Sequence, residues 1–218
     1  MATELDLDPG TGHRTDGAAG AVVRPAQLTY LPVDLSAHYD NRAGSAAGDT
    51  AAGAFNVWGN SFPAEHLPTP GQRWPVEGVP FVRGLPHEGG DNVRCAGQYV
   101  RLPVAGPVDW LHLMVAAERR TEATLALHFA GGAADFETLR VSDFWAEAPA
   151  AFGERLVAAT PVMHYPHHVQ PRVPAQLWAQ RVPVTRREPL AAVRLPRHVA
   201  VHVFALTLQS TRPAGEDR

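Results

Sequence analysis

The chain has 218 residues with a net charge of −3, an apolar share of 45%, 19% charged residues and 8% aromatic residues. That is enough for one sizeable core, and so weak a charge disfavours nucleic acid as a partner, because affinity for phosphate backbones needs a basic face. Cys95 is the one cysteine, which excludes an intrachain disulfide and a Cys-based zinc site.

All 19 basic residues are Arg, and Ala, Gly and Pro are heavily used, a codon signature of a high-GC bacterial genome such as an actinomycete's. The opening MATELDLDPGTGHRTDG is polar and acidic, without the basic start and apolar run of a signal peptide, and no stretch approaches bilayer-spanning length. The expectation is a cytoplasmic protein with no membrane partner.

In chain order, residues 1–24 are Gly-, Ala-, Asp- and Thr-rich without apolar periodicity and are expected to form a disordered tail. The domain is expected over 25–209. Residues 27–35 (QLTYLPVDL) alternate apolar and polar positions, as a strand does, and the polar Gly/Ala stretch 42–53 reads as a surface loop. Short strands bounded by turn residues are expected at 78–82 and 98–102. The clearest pair is 109–118 (DWLHLMVAAE) and 123–129 (ATLALHF), continued by 137–141. Residues 148–159 could hold one short helix, with Pro149 near its start. Alternation resumes at 176–184, and a further strand follows at 190–195. Residues 199–208 (VAVHVFALTL) form the longest apolar run and read as a central strand, and Pro183, Pro189 and Pro196 argue against helix here. A second disordered tail is expected over 210–218. Many short strands with regular turn signals define an all-β sandwich or barrel.

Several segments carry a more particular likeness: VDLSAHYDN (33–41), FNVWGNSFPAEHLP (55–68), GVPF (78–81), DNVRCAGQ (91–98), WLHLMVAAERR (110–120), VSDFW (141–145), HYPHHV (164–169) and VHVFALTL (201–208). In order, they resemble a galactose-binding-like jelly-roll β-sandwich module of the kind attached to bacterial glycoside hydrolases, including α-mannosidase-like proteins. The chain also resembles related stand-alone actinomycete proteins. The resemblance implies an all-β jelly-roll sandwich with at most one short helix and, by association, a carbohydrate or glycosylated small molecule as ligand.

Three groups of residues could carry chemistry. In MHYPHHVQPR (163–172), His164, His167 and His168 lie within five positions of a segment expected to be a loop. Imidazoles can move protons, bind metal or hydrogen-bond to sugar hydroxyls; the alternative is a polar loop with incidental histidines, one of them packed against the core. A metal site would need further ligands such as His38, Asp143 or Glu118. The second group, Glu118, Arg119, Arg120 and Glu122, follows a buried strand. There Arg119 could clamp an anionic group, or the charges could simply pair with neighbours. The third group is the tryptophans, whose indoles can stack on the C–H faces of sugars. Trp58 with Asn60, and Asp143 with Trp145, fit such a platform, whereas Trp110 and Trp178 are expected in the core.

Asp34, Asp40 and Asn41 offer oxygen ligands for a structural Ca²⁺ of the sort often held by galactose-binding-like modules. Asp91 and Asn92 have turn chemistry, Glu65 is a lone candidate acid or base, and Cys95 reads as a small buried residue. Phosphate loops, G-x-S-x-G elbows and H-E-x-x-H motifs are absent from the sequence. The leading expectation is ligand binding through Trp58, Asn60, Arg119, Asp143, Trp145, His164, His167 and His168. The alternatives are a small-molecule enzyme of bacterial secondary metabolism, with His164, His168 and Glu118 as its acid–base groups, and a structural or assembly protein.

Overall fold

The computed structural model describes residues 27–212 apart from 104–105 and 146–148. The expected N-terminal tail, and residues 213–218 of the expected C-terminal one, lie outside the described residues. Sixteen strands are present among the described residues: β1 (Gln27–Val33), β2 (Gly44–Ser45), β3 (Phe62–Pro63), β4 (Arg73–Val76), β5 (Val79–Val82), β6 (Val93–Ala96), β7 (Tyr99–Arg101), β8 (Trp110–Ala117), β9 (Thr121–Phe129), β10 (Ala134–Val141), β11 (Arg155–Ala159), β12 (Val162–Tyr165), β13 (His168–Pro171), β14 (Gln176–Pro183), β15 (Leu190–Arg194) and β16 (Arg197–Arg212). The helical elements among them are three single 3₁₀ turns, at Ser36–His38, Thr50–Ala52 and Ala64–His66.

Two antiparallel sheets form the sandwich. The larger runs β1-β16-β8-β14-β11, with β6 also paired to β16; the smaller runs β10-β9-β15-β7. Alternation along β8 explains how they meet. Leu111, Leu113, Val115 and Ala117 point between the sheets and pack with Leu125 and Leu127 of β9 and with Val193 of β15. Met114 and Ala116 point the opposite way.

That opposite face is also covered. Phe55 and Phe144, from loops, and Phe62 of β3 and Met163 of β12 pack on Met114, Leu177, Phe204 and Ala205 as a second apolar cluster. This is why β8 and β16 read as nearly unbroken apolar runs: along most of these two strands both faces of the sheet are covered. In β16 the pairing with β8 shifts between Val203 and Ala205. The bulge lets Val203 and Leu206, three apart, both face the sandwich core while Phe204 and Ala205 face the outer layer.

Polar residues tie the outer layer down. Tyr39 Oη donates to the Phe204 carbonyl at 3.1 Å and accepts from Gly84 N at 2.8 Å. Asp91 accepts from Ala43 N and Gly44 N at 2.8 and 3.0 Å, and its carboxylate lies 3.4 Å from the buried Arg83 guanidinium.

Several expectations are corrected. Residues 155–159, expected within a helix, form the edge strand β11 paired with β14, because sheet pairing overrides local propensity. The stretch 42–53 is no simple surface loop, since Ala43, Ser45 and Thr50 are buried in the outer layer. Asp91 and Asn92 have the structural role their turn chemistry suggested, but as a buried polar hub. The last strand runs on to Arg212, with Ser210 and Thr211 opposite Thr29 and Leu28 of β1. Trp178 is in the core as expected, but Trp110 lies on the outer face of the large sheet, with the Arg181 guanidinium 4.5 Å from its ring centroid. Cys95 is fully buried, and burial pushes its thiol well above its ordinary value.

Candidate functional site

Beyond its last paired residue, β8 continues into Glu118, whose N–H donates to the Ala200 carbonyl of β16 at 2.9 Å, and then into Arg119. Alongside, the segment after β10 is stitched to the strand end by Phe144 N donating to the Ala117 carbonyl at 2.9 Å. Asp143 Oδ1 accepts from Trp145 N at 2.9 Å, which fixes the tight Asp-Phe-Trp bend. On the other side, Asn56 Oδ1 accepts from both Trp58 N and Asn60 N at 3.1 Å, folding residues 56–60 on themselves. Gly59 completes that loop at φ +72°, where a Cβ would come within 2.9 Å of Pro166. Ser61 and His164 exchange backbone hydrogen bonds of 2.9 and 3.0 Å, bringing this loop beside β12 and Tyr165.

These pieces enclose a cavity of about 810 Å³ lined by Asn56, Trp58, Asn60, Glu118, Arg119, Asp143, Phe144, Trp145 and Tyr165. Phe144 and the two asparagines are buried at its base, Trp145 and Tyr165 are half-buried, and Trp58 is 57% exposed at the rim. Burial pushes the Asp143 carboxyl above its ordinary value, opposed by the Trp145 N–H and the charge of Arg119. Glu118 has only a tenth of its side chain exposed and sits 3.9 Å from Arg94 Nη2 and 3.7 Å from His202 Nε2. Asn60 Oδ1 is buried without a hydrogen-bond partner, a state that calls for a reason in a folded protein.

Six of the residues singled out from sequence therefore surround one space: Trp58, Asn60, Glu118, Arg119, Asp143 and Trp145. The histidines do not join them. Residues 162–171 form the hairpin β12–β13 instead of a loop, and its reversal at Pro166 and His167 puts His164 and His168 on opposite strands. His164 is 1% exposed, with Nδ1 2.8 Å from Ser45 Oγ, which in turn lies 2.7 Å from Ser61 Oγ. His167 is exposed at the turn. His168 is also exposed, stacked on the Tyr165 ring at 5.1 Å, so it reaches the cavity only through that ring.

Four wall or support residues were missed: Asn56, Phe144, Tyr165 and His202. Phe144 and Tyr165 adjoin residues that were named, so only their direction was hidden; His202, deep in an apolar strand, carried no local signal. Of the candidate calcium ligands, Asp34 Oδ1 accepts from Ser36 N, Asp40 accepts from Arg94 N and Gln98 Nε2, and Asn41 Oδ1 accepts from Asn92 Nδ2. Among the described residues no three His, Cys, Asp or Glu side chains are grouped to hold a metal ion, and no helix is long and apolar enough to cross a membrane.

Fold and cavity together define an all-β sandwich module with an aromatic- and carboxylate-lined cleft at one end of its larger sheet. The model of the AziU2-like beta-sandwich domain matches residues 27–212, and the chain belongs to that family. No curated protein matches the sequence.

Proposed function

We propose that the chain binds a carbohydrate or a glycosylated small molecule in the cavity at the end of β8. The observation that carries this reading is the composition of one space: the rings of Trp58, Phe144, Trp145 and Tyr165 beside the polar groups of Asn56, Asn60, Glu118, Arg119 and Asp143. Sugars need both, ring faces for their C–H surfaces and hydrogen-bonding groups for their hydroxyls. A volume of about 810 Å³ suits a small ligand. The likeness to galactose-binding-like modules of glycoside hydrolases supports the same reading.

An acid–base enzyme built on His164 and His168 has less support, because the first is enclosed behind Ser45 and the second stands behind Tyr165. What favours an enzyme is a different pair, Glu118 and Asp143, two carboxyls in unlike surroundings within one cavity.

The experiment is a titration of the protein with a panel of methyl glycosides, followed through the indole N–H signals of Trp58 and Trp145. Saturable shifts of those two signals are expected, with binding weakened about tenfold or more in Trp58→Ala. Undiminished binding in Trp58→Ala/Trp145→Ala, or glycosides that leave both indoles unmoved, would reject the reading.

A further inference from the structure

Glu118 and Asp143 supply the cavity with two carboxyl groups; among its lining residues the one guanidinium is that of Arg119, exposed at the rim, while Arg94 lies outside the lining, 3.9 Å from Glu118. Four aromatic rings share the same walls, and the faces of such rings attract cations. Asn60 adds an acceptor oxygen without a partner.

The charge of Glu118 depends on what stands behind it. His202 is wholly buried, with Phe55 packed at 4.2 Å between ring centroids. Its Nδ1 lies 2.9 Å from Asn92 Oδ1. Asn92 Nδ2 donates to the Asn41 carbonyl, Asn41 Oδ1 and Asp91 Oδ1, so the amide is oriented and its oxygen is the atom offered to His202. Nδ1 therefore carries the proton. Nε2, with no hydrogen-bond partner, turns its lone pair toward Glu118 Oε1 at 3.7 Å. In this neutral tautomer His202 adds no positive charge beside the carboxylate, whose ion-pair partner is Arg94. The other charged groups facing the pair are Arg94 of β6, whose Nη2 is 3.9 Å from Glu118 Oε1, and Asp40, whose charge acts on His202.

We propose that the cavity selects a ligand bearing an ammonium group, an amino sugar or amine-bearing glycoside, with Glu118 and Asp143 as counter-ions and the aromatic rings as its cage. This rests on the reading of the cavity as a sugar site. His202 is a positioning residue. When it gains a proton at Nε2 it pairs with Glu118 and draws the carboxylate away from the ligand, so affinity for the cation falls on acidification. Protonation of Asp143 acts in the same direction.

The test uses the full chain near neutral pH and two matched pairs of probes, glucosamine with glucose and cyclohexylammonium with cyclohexanol, followed through the Trp58 and Trp145 indole signals. Each cation is expected to bind about tenfold or more tightly than its neutral counterpart. Glu118→Gln and Asp143→Asn are each expected to shrink that preference, and His202→Gln to flatten its dependence on pH. If His202→Gln does not fold, the two carboxyl variants still decide. Equal binding within both pairs overturns the preference for charge and leaves the sugar reading standing. Cation preference with cyclohexylammonium but no response to either sugar supports the preference and removes the sugar reading. No response to any of the four removes both, and a preference unchanged in both carboxyl variants overturns the role given to Glu118 and Asp143.

Discussion

Three buried histidines, His112, His164 and His202, are each held below the ordinary imidazole value of 6.5, in every case chiefly because burial disfavours the charged ring. Above that value the ring is neutral in both folded and unfolded chains and contributes no slope. Below it the unfolded chain takes up protons that the folded chain refuses, so stability falls as pH falls. The urea midpoint is expected to drop between about pH 7.5 and about pH 5.5, and an unchanged midpoint would contradict this. His164 and His168 separate cleanly at this scale. His164→Ala removes the partner of Ser45 in a buried polar cluster and is expected to cost about 1–3 kcal/mol of stability. His168→Ala, at an exposed ring, is expected to stay within about 0.5 kcal/mol, as equilibrium unfolding would show. The histidine-rich segment, the most conspicuous in the sequence, thus supports the cavity wall; the imidazole nearest the cavity's charge lies in a strand that reads only as apolar.

Among the elements, β16 carries most of the arrangement. It pairs with β1, β6 and β8, and its bulge divides its side chains between two clusters. Phe204, fully buried, meets Phe62 at 6.0 Å between centroids and lies under the Arg83 guanidinium. Phe204→Ala is expected to cost about 3–5 kcal/mol by removing the ring from a site the outer layer cannot refill. Phe136, 72% exposed on β10, serves as the control, and Phe136→Ser should change stability by no more than about 0.5 kcal/mol. Denaturant midpoints of the two variants test the contrast. Gly90 shows a different constraint: its φ of +138° belongs to glycine, and a Cβ there would lie 2.0 Å from the Asn41 carbonyl oxygen. Gly90→Ala is expected to lose roughly 2 kcal/mol or more, because the segment before β6 and residues 41–44 cannot separate without breaking the Asp91 hydrogen bonds.

For the whole molecule, the large sheet is the shared wall of two apolar clusters, one against the small sheet and one beneath the outer layer. Opening either side exposes β8 and β16, so their amides are expected to be the slowest to exchange hydrogen, slower than those of the edge strand β11 or the hairpin β12–β13. Faster exchange in β8 than in β11 would show that the outer layer does not protect the sheet. The same arrangement brings the cavity walls together, from residues 56–60, the end of β8, residues 143–145 and β12, segments that meet only because each packs on one sheet face.

The strict alternation of 123–129 and the apolar runs within 109–118 and 199–208, each of strand length and bounded by turn residues, determined the all-β architecture without any structure, because the facing of a strand is written into neighbouring residues. Trp58, Asn60, Glu118, Arg119, Asp143 and Trp145 were legible as candidates because polar and aromatic residues beside turn signals stand out locally. Their sharing of one cavity, the enclosure of His164, the strand at 155–159 in place of a helix, and His202 behind Glu118 were decided by tertiary structure alone. The reason is physical: burial and proximity between residues some 80 positions apart, such as Glu118 and His202, depend on which strands pair and where a bulge shifts the register. No short window of sequence records either.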